Sequence, residues 1–251
     1  NYEVLELIEP TYEDVKNQIK NFDILFCAPN HQTFVIDEDL IKDSNIKSIL
    51  SPSTGLNHID VKSVPIVSVK NDKILNDVWS TAEHTLYLML SIVRGKHELH
   101  DKTLGIIGHG RLGKMVEQLC KPLFKNVICV DKDDDISLLY IESDVVSIHM
   151  DYNPTTEYMI DNEFLSNFKK NIYLINTARG EIVNEQDIKH LLSVGRIKGY
   201  ATDVLQTEYN EQKSVFYGVD YVITTPHIAG TSIEAQEKTY KRVLEKYENI
   251  K

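Results

Sequence analysis

Thr103-Leu104-Gly105-Ile106-Ile107-Gly108-His109-Gly110-Arg111-Leu112-Gly113 is the stretch that decides the fold of this 251-residue chain. Leu104 to Ile107 is a short apolar run of the kind that forms a buried strand. Lys114 to Leu123 then carries Met115, Val116, Leu119 and Leu123 at helical spacing. A second apolar run, Val127 to Val130, ends in Asp131. In a strand–turn–helix–strand unit each of the three spaced glycines has a task. Gly108 permits the tight turn, Gly110 lets backbone approach a pyrophosphate, and Gly113 lets the helix pack on the strand. The helix start presents free N–H groups and the positive end of the helix dipole to phosphates. Asp131 is placed to accept hydrogen bonds from both ribose hydroxyls of an adenosine. A carboxylate there repels a 2′-phosphate, so NAD is expected rather than NADP.

Outward from this unit, strand-like and helix-like runs alternate almost throughout, which predicts parallel sheets covered by helices. The first third gives strands at Ile24–Cys27, Ile46–Leu50 and Ile66–Val69, with helices at Tyr12–Lys20 and Asp37–Lys42. Further strands are expected at Val145–Ile148, Ile172–Ile175, Gly199–Thr202 and Val222–Thr225. Helices are expected at Arg111–Leu123, Ile136–Ile141, Glu163–Phe168 and Glu185–Val194, the last capped by Asn184. Asp77 to Arg94 reads as a helix apolar on more than one face. Val78, Ala82, Leu86, Met89 and Val93 form one stripe, and Trp79, Leu88 and Ile92 lie off it, which fits either central packing or a homodimer contact, the latter favoured by its position between two domains. Thr231 and Glu234 fit a capping box that opens a final helix to about Asn249. That helix is expected to cross back to the first domain.

The bulk numbers restrict the function. A net charge of −11 argues against nucleic acid or an anionic membrane as partner. No apolar run approaches the ~20 residues of a spanning helix. Cys27, Cys120 and Cys129 lie in or beside apolar runs without ligand-like spacing. Reduced thiols and no bound metal are therefore expected. No signal-peptide pattern opens the chain, and the compartment expected is the cytoplasm. Residue 1 is Asn rather than Met, as in a chain missing an N-terminal piece.

Three further segments each follow a strand-like run. Asn176-Thr177-Ala178-Arg179-Gly180 places an arginine just past a strand end, where an open α/β sheet binds its ligand. Its planar fork suits a carboxylate. Asp203-Val204-Leu205-Gln206-Thr207-Glu208 carries two acids, and Pro226-His227-Ile228-Ala229-Gly230 carries a loop histidine. Singly, each has an ordinary structural explanation. Together, Arg179, Glu208 and His227 follow strand ends of one sheet and supply what carbonyl reduction by hydride needs. These are a cation for the substrate acid, a proton donor, and a carboxylate that favours the donor's protonated form.

The chain resembles the D-isomer-specific 2-hydroxyacid dehydrogenases, the family of D-lactate, glycerate and 3-phosphoglycerate dehydrogenases. The resemblance runs from about residue 20 to 240. It rests on Ser53–Asp60, Ala82-Glu83-His84-Thr85, the Gly108–Gly113 turn, Asn176–Gly180, Asp203–Glu208 and Pro226–Gly230. It implies a Rossmann-type doubly wound parallel sheet domain plus a smaller flavodoxin-like α/β substrate domain, discontinuous in sequence. The expected division is 1–76 with 226–251 for substrate and 77–225 for NAD. It implies Arg179, Glu208 and His227 as catalytic residues, with His227 the acid/base. Gly108, Gly110, Arg111, Leu112, Gly113, Asp131, His149, Thr177 and Asp203 would line the cofactor, Asp203 on the nicotinamide carboxamide. Thr54, Gly55, Arg179 and Asn30 would meet a small 2-hydroxy or 2-oxo acid. Four features depart from the family pattern: Asn30 stands where many relatives place a cationic contact, Tyr209 replaces the proline that usually follows Glu208, the first domain is short, and the Asn71–Asp77 loop lacks the usual glycine. An NAD-sensing regulatory or scaffold protein is the alternative on this fold. Formate dehydrogenase is a third reading, opposed by Glu208, since family members acting on formate pair their histidine with glutamine.

Overall fold

A computed structural model describes residues 2–27, 34–206 and 214–250. The chain divides into two units, Asn1–Val78 with Ser232–Lys251, and Trp79–Thr231. Residues 226–231, expected with the smaller domain, thus fall in the larger unit.

In the smaller unit, β1 (Ile24–Phe26), β3 (Ser48–Ser51) and β5 (Ile66–Ser68) form a parallel sheet in the order β1-β3-β5. β2 (Ile36–Asp37) and β4 (Ile59–Asp60) form a separate parallel pair too short to leave an apolar run in the sequence. α1 (Tyr12–Gln18) and α2 (Glu38–Ile41) pack with Ile49 in one core. The last helix, α8 (Ile233–Glu248), returns to this unit and buries Val243 and Tyr247 against Leu50, Val67 and Val69. Its cap is Ser232, which accepts from the Ala235 N–H, and not Thr231. Thr231 has Glu234 three residues on, but its hydroxyl is turned instead to the Ile228 carbonyl.

The larger unit is built on six parallel strands: β6 (Thr103–Ile107), β7 (Asn126–Val130), β8 (Val145–Ile148), β9 (Ile172–Asn176), β10 (Ile197–Thr202) and β11 (Val222–Thr224). Their order is β11-β10-β9-β8-β6-β7. Every residue of β6, β8 and β9 is buried, which explains why these strands read as continuous apolar runs. Successive residues still separate by face. Leu104, Ile106, Val145, Tyr173 and Ile175 join α3 (Ser80–Met89) and α4 (Arg111–Cys120) in one core. Ile107, Val146, Ile148, Ile172 and Leu174 join α5 (Ser137–Glu142), α6 (Asn162–Ser166) and α7 (Glu185–Ser193) in the other. The segment expected as one helix from Asp77 is three pieces. A 3-10 turn covers Lys73–Asp77, α3 follows, and Leu90–Arg94 closes as a π turn. Trp79 caps α3 without a side-chain hydrogen bond.

Candidate active site

Strand order reverses at β6: the chain goes first to β7 on one side, then to β8 on the other. Two backbone bonds brace the turn at this point, from Gly108 N–H to Val130 O at 2.9 Å and from His149 N–H to Ile107 O at 2.7 Å. Gly108 has φ +92°, and a Cβ there would lie 2.7 Å from the His149 carbonyl. A Cβ on Gly113 would collide with the Gly108 carbonyl oxygen, whereas one on Gly110 would meet nothing within 4 Å. The turn is therefore closed toward the sheet and open beyond Gly110. Gly110 caps α4 without a side-chain hydrogen bond, so the start of this helix, the end that suits a phosphate, carries no side-chain cap. Arg111 directs Nη1 to the Met115 sulfur at 3.4 Å. Asp131, at the end of β7, is exposed.

His149 ends β8 and is buried. Nε2 pairs with the Ser147 hydroxyl at 2.8 Å, while Nδ1 is buried with no hydrogen-bond partner. Burial pushes its pKa down to about 3, so the ring is neutral. An orphaned buried nitrogen beside the turn, together with the open face of Gly110, fits a polar cofactor at this edge. Thr177 is also buried here, its hydroxyl 2.8 Å from that of Thr85 on α3.

The second half of the site lies past β9, β10 and β11. Because these strands are parallel and in register, Thr202 beside Asn176 and Thr224, everything that follows them emerges on one edge. Asn176 shapes the Arg179 turn: Oδ1 accepts from Ala178 N–H at 3.0 Å and Nδ2 donates to Arg179 O at 2.9 Å. The half-buried Arg179 places Nη1 2.6 Å from the Ala178 carbonyl.

Asp203 and His227 are brought together. His227 has φ +54°, a left-handed backbone that costs a non-glycine residue about 1–3 kcal/mol. Its N–H reaches the Asp203 and Thr225 carbonyls, both at 2.9 Å. The Asp203 carboxylate is 1% exposed and takes up the rest of the turn. Oδ1 accepts from Thr225 Oγ1 at 2.5 Å and Ile228 N–H at 2.9 Å, and Oδ2 accepts from Ala229 N–H at 2.8 Å. Oδ1 thus takes two donors from the chain and Oδ2 one, which leaves acceptor capacity on Oδ2 for the nicotinamide carboxamide expected there. Since Thr225 gives its proton to Asp203, its oxygen accepts from His84 Nε2 at 2.9 Å. Burial lowers the His84 pKa, against the opposing pull of Asp203 3.5 Å away. His84 and Asn176 stand in motifs that the sequence shows, but neither they nor Thr225 have an assigned role there. A histidine on a helix and a threonine just past a strand give no sign of a shared partner 22 or more residues away.

Glu208 and Asn30 lie outside the described residues. Gln206, just before that stretch, is anchored by its N–H to buried Glu185 Oε1 at 2.8 Å and by Nε2 to Val183 O at 2.7 Å. Thr54 and Gly55 belong to the smaller unit, in the turn after β3, where Ser53 Oγ donates to Gly55 O at 2.8 Å.

A glycine turn at the reversal of a parallel sheet, with polar loops on the same edge, defines a Rossmann-type dinucleotide-binding unit. The model of the D-isomer specific 2-hydroxyacid dehydrogenase NAD binding domain matches residues 91–229. Mitochondrial formate dehydrogenase of Solanum tuberosum is 25% identical over 89% of this chain and 68% of its own length. Among solved structures, the formate dehydrogenase of Staphylococcus aureus in complex with NAD superimposes with a TM-score of 0.79 at 26% identity, covering 94% of this chain and 82% of that one. The D-lactate dehydrogenase of Aquifex aeolicus, complexed with NAD and lactic acid, gives 0.74 at 26% identity over 94% and 84%. The chain belongs to the D-isomer specific 2-hydroxyacid dehydrogenase family. Its cofactor is NAD, and its activity class is NAD-dependent oxidoreduction of 2-hydroxy and 2-oxo acids.

Proposed function

We propose that this protein interconverts a small D-2-hydroxy acid and its 2-oxo acid, with Arg179, His227 and Glu208 as the reacting set. When bound, NAD would supply a hydride acceptor for C2, and its reduced form a hydride donor. Gly108, Gly110 and Gly113, with the start of α4, would hold the pyrophosphate, and Asp131 the adenosine ribose. Arg179 pairs with the substrate carboxylate, fixing C2 and its oxygen. In oxidation His227 takes the hydroxyl proton as hydride leaves C2. In reduction it gives that proton back to the developing alkoxide. Glu208 favours the protonated imidazole. The observation that carries this reading is the Asp203-anchored turn, which holds His227 in a strained backbone at the edge that also bears Arg179. A turn braced from four directions is suited to a side chain whose position matters.

Formate oxidation is the second reading, favoured by the similarity to formate dehydrogenases. It moves a hydride without moving a hydroxyl proton, so an acidic partner for His227 would have no task. The experiment is NADH oxidation with 2-oxo acids of graded size and charge, beside NAD reduction with formate. Turnover of at least one 2-oxo acid is expected. Activity with formate alone would overturn the assignment, and NADH binding without turnover of any acid would favour a sensor.

We also propose a homodimer through the 77–94 segment, where Tyr87 and Leu90 remain 54% and 39% exposed. Light scattering on the purified protein tests it. The cytoplasm is the proposed compartment, on the support of three cysteines that are all free.

A further inference from the structure

Three side chains from a turn, a helix and a strand converge beside the glycine turn. His109 stands between Gly108 and Gly110, Glu117 lies two turns along α4, and Cys129 is near the end of β7. One ligand atom from each lies within 4.8 Å of the other two. His109 Nε2 and Glu117 Oε2 are already 2.7 Å apart. All three side chains are partly buried, so they are held by the fold yet open to an ion from solvent.

We propose that His109, Glu117 and Cys129 form a binding site for a borderline-soft divalent cation of the zinc class. The donor set is one imidazole nitrogen, one carboxylate oxygen and one sulfur. Such a set suits Zn²⁺ and excludes Mg²⁺ and Ca²⁺, which require oxygen ligands. Tetrahedral bonds of about 2.0–2.3 Å put ligand atoms about 3.3–3.8 Å apart. The His109–Glu117 contact therefore opens by less than about 1 Å, and Sγ closes by about the same. The Cys129 thiol proton leaves to solvent as sulfur bonds the ion, and water takes the fourth position. The site ties the dinucleotide turn to α4 and β7, the two elements on which that turn is built. Spacings of 8 and 12 residues across a turn, a helix and a strand carry no ligand signature, which is why the sequence gives no sign of it.

The test is titration of the metal-free protein with Co²⁺, followed by absorbance, with Zn²⁺ as competitor. One Co²⁺ per chain should bind with a thiolate-to-metal charge-transfer band in the near ultraviolet, and Zn²⁺ should displace it. Cys129→Ser should abolish that band, and Glu117→Gln should weaken Co²⁺ binding about tenfold or more, since even outer-shell partners matter that much. Cys27 and Cys120 remain in Cys129→Ser, so a band surviving there overturns the proposal, as does its absence from the wild type. Should Cys129→Ser fail to fold, Glu117→Gln and His109→Gln decide instead, and unaltered Co²⁺ affinity in both refutes the site.

Discussion

Replacing Asp203 by Asn tests whether this buried acid serves the cofactor or the histidine turn. The carboxylate accepts two hydrogen bonds on Oδ1 and one on Oδ2. An amide has one acceptor oxygen. With that oxygen toward Thr225 and Ile228, the new N–H₂ faces the Ala229 N–H, donor against donor. Flipped, it faces the Ile228 N–H instead. Either way one backbone N–H loses a charged acceptor, worth about 1.5–3 kcal/mol, and the surviving bonds lose their charge assistance. A total of about 2–4 kcal/mol follows, or a fall in Tm of roughly 5–15 °C for a chain of this size. The turn also holds His227 at φ +54°, so part of the released energy is strain, and the imidazole drifts from its place. Turnover should drop about 10–100-fold, as for an angstrom-scale misplacement of a reacting group.

The decisive measurement is a double-mutant cycle with His227→Asn. If Asp203 acts through His227, its replacement costs little further kcat once His227 is gone, and NADH affinity changes less than about threefold. Equal losses of kcat in both backgrounds, or a loss of NADH affinity matching the loss of kcat, would refute the positioning role and return Asp203 to the nicotinamide carboxamide.

Gly110→Ala should leave Tm within about 1 °C of wild type, since its Cβ enters open space at φ −71°, yet weaken NADH binding in a fluorescence titration. Gly113→Ala should instead lower Tm, because its Cβ meets the Gly108 carbonyl. Arg179→Ala should abolish turnover while NADH still binds, and equal loss of NADH affinity would contradict its assignment to the substrate acid. His149 gives a pH dependence of known sign. Its folded pKa of about 3 lies below the ordinary histidine value of 6.5, so from pH 6.5 downward the unfolded chain binds a proton that the native chain refuses. Stability from this group therefore falls as pH falls through that window, by about 2 kcal/mol between pH 7.5 and pH 5, and is flat above. Chemical denaturation of wild type and His149→Gln across that range should show the slope in the first and lose it in the second.

What was legible in the sequence is what is local or strictly periodic. Leu104–Ile107, Val145–Ile148 and Ile172–Ile175 announce strands because strands buried on both faces are almost wholly apolar, Ser147 being accommodated by its bond to His149. Asn184 announces a helix start because its side chain needs only a backbone N–H three residues on. Thr231 misleads by the same rule, since its acid lies three residues on while the Ile228 carbonyl takes its hydroxyl and leaves the cap to Ser232. The break of the 77–94 segment into 3-10, α and π pieces escaped because hydrophobic spacing registers a face and not a hydrogen-bond pattern.

The site escaped further, and for one physical reason. A parallel sheet makes neighbours of residues separated by a strand, a helix and two loops, and only the register converts that separation into contact. Asn176 and Thr202 are opposed across β9 and β10, and Thr202 and Thr224 across β10 and β11. Those pairings carry Asp203 beneath the His227 turn. They also bring Thr225 within reach of His84, 141 residues away. Motifs reveal which residues have chemistry to do, because Arg, Glu and His past strand ends are few. They do not reveal which residues hold them, because a buried acceptor such as Asp203 is recognised only by the donors around it. The positioning residues of this edge are therefore a property of the register, and a shift of β10 by one residue would dismantle the turn with every side chain still present.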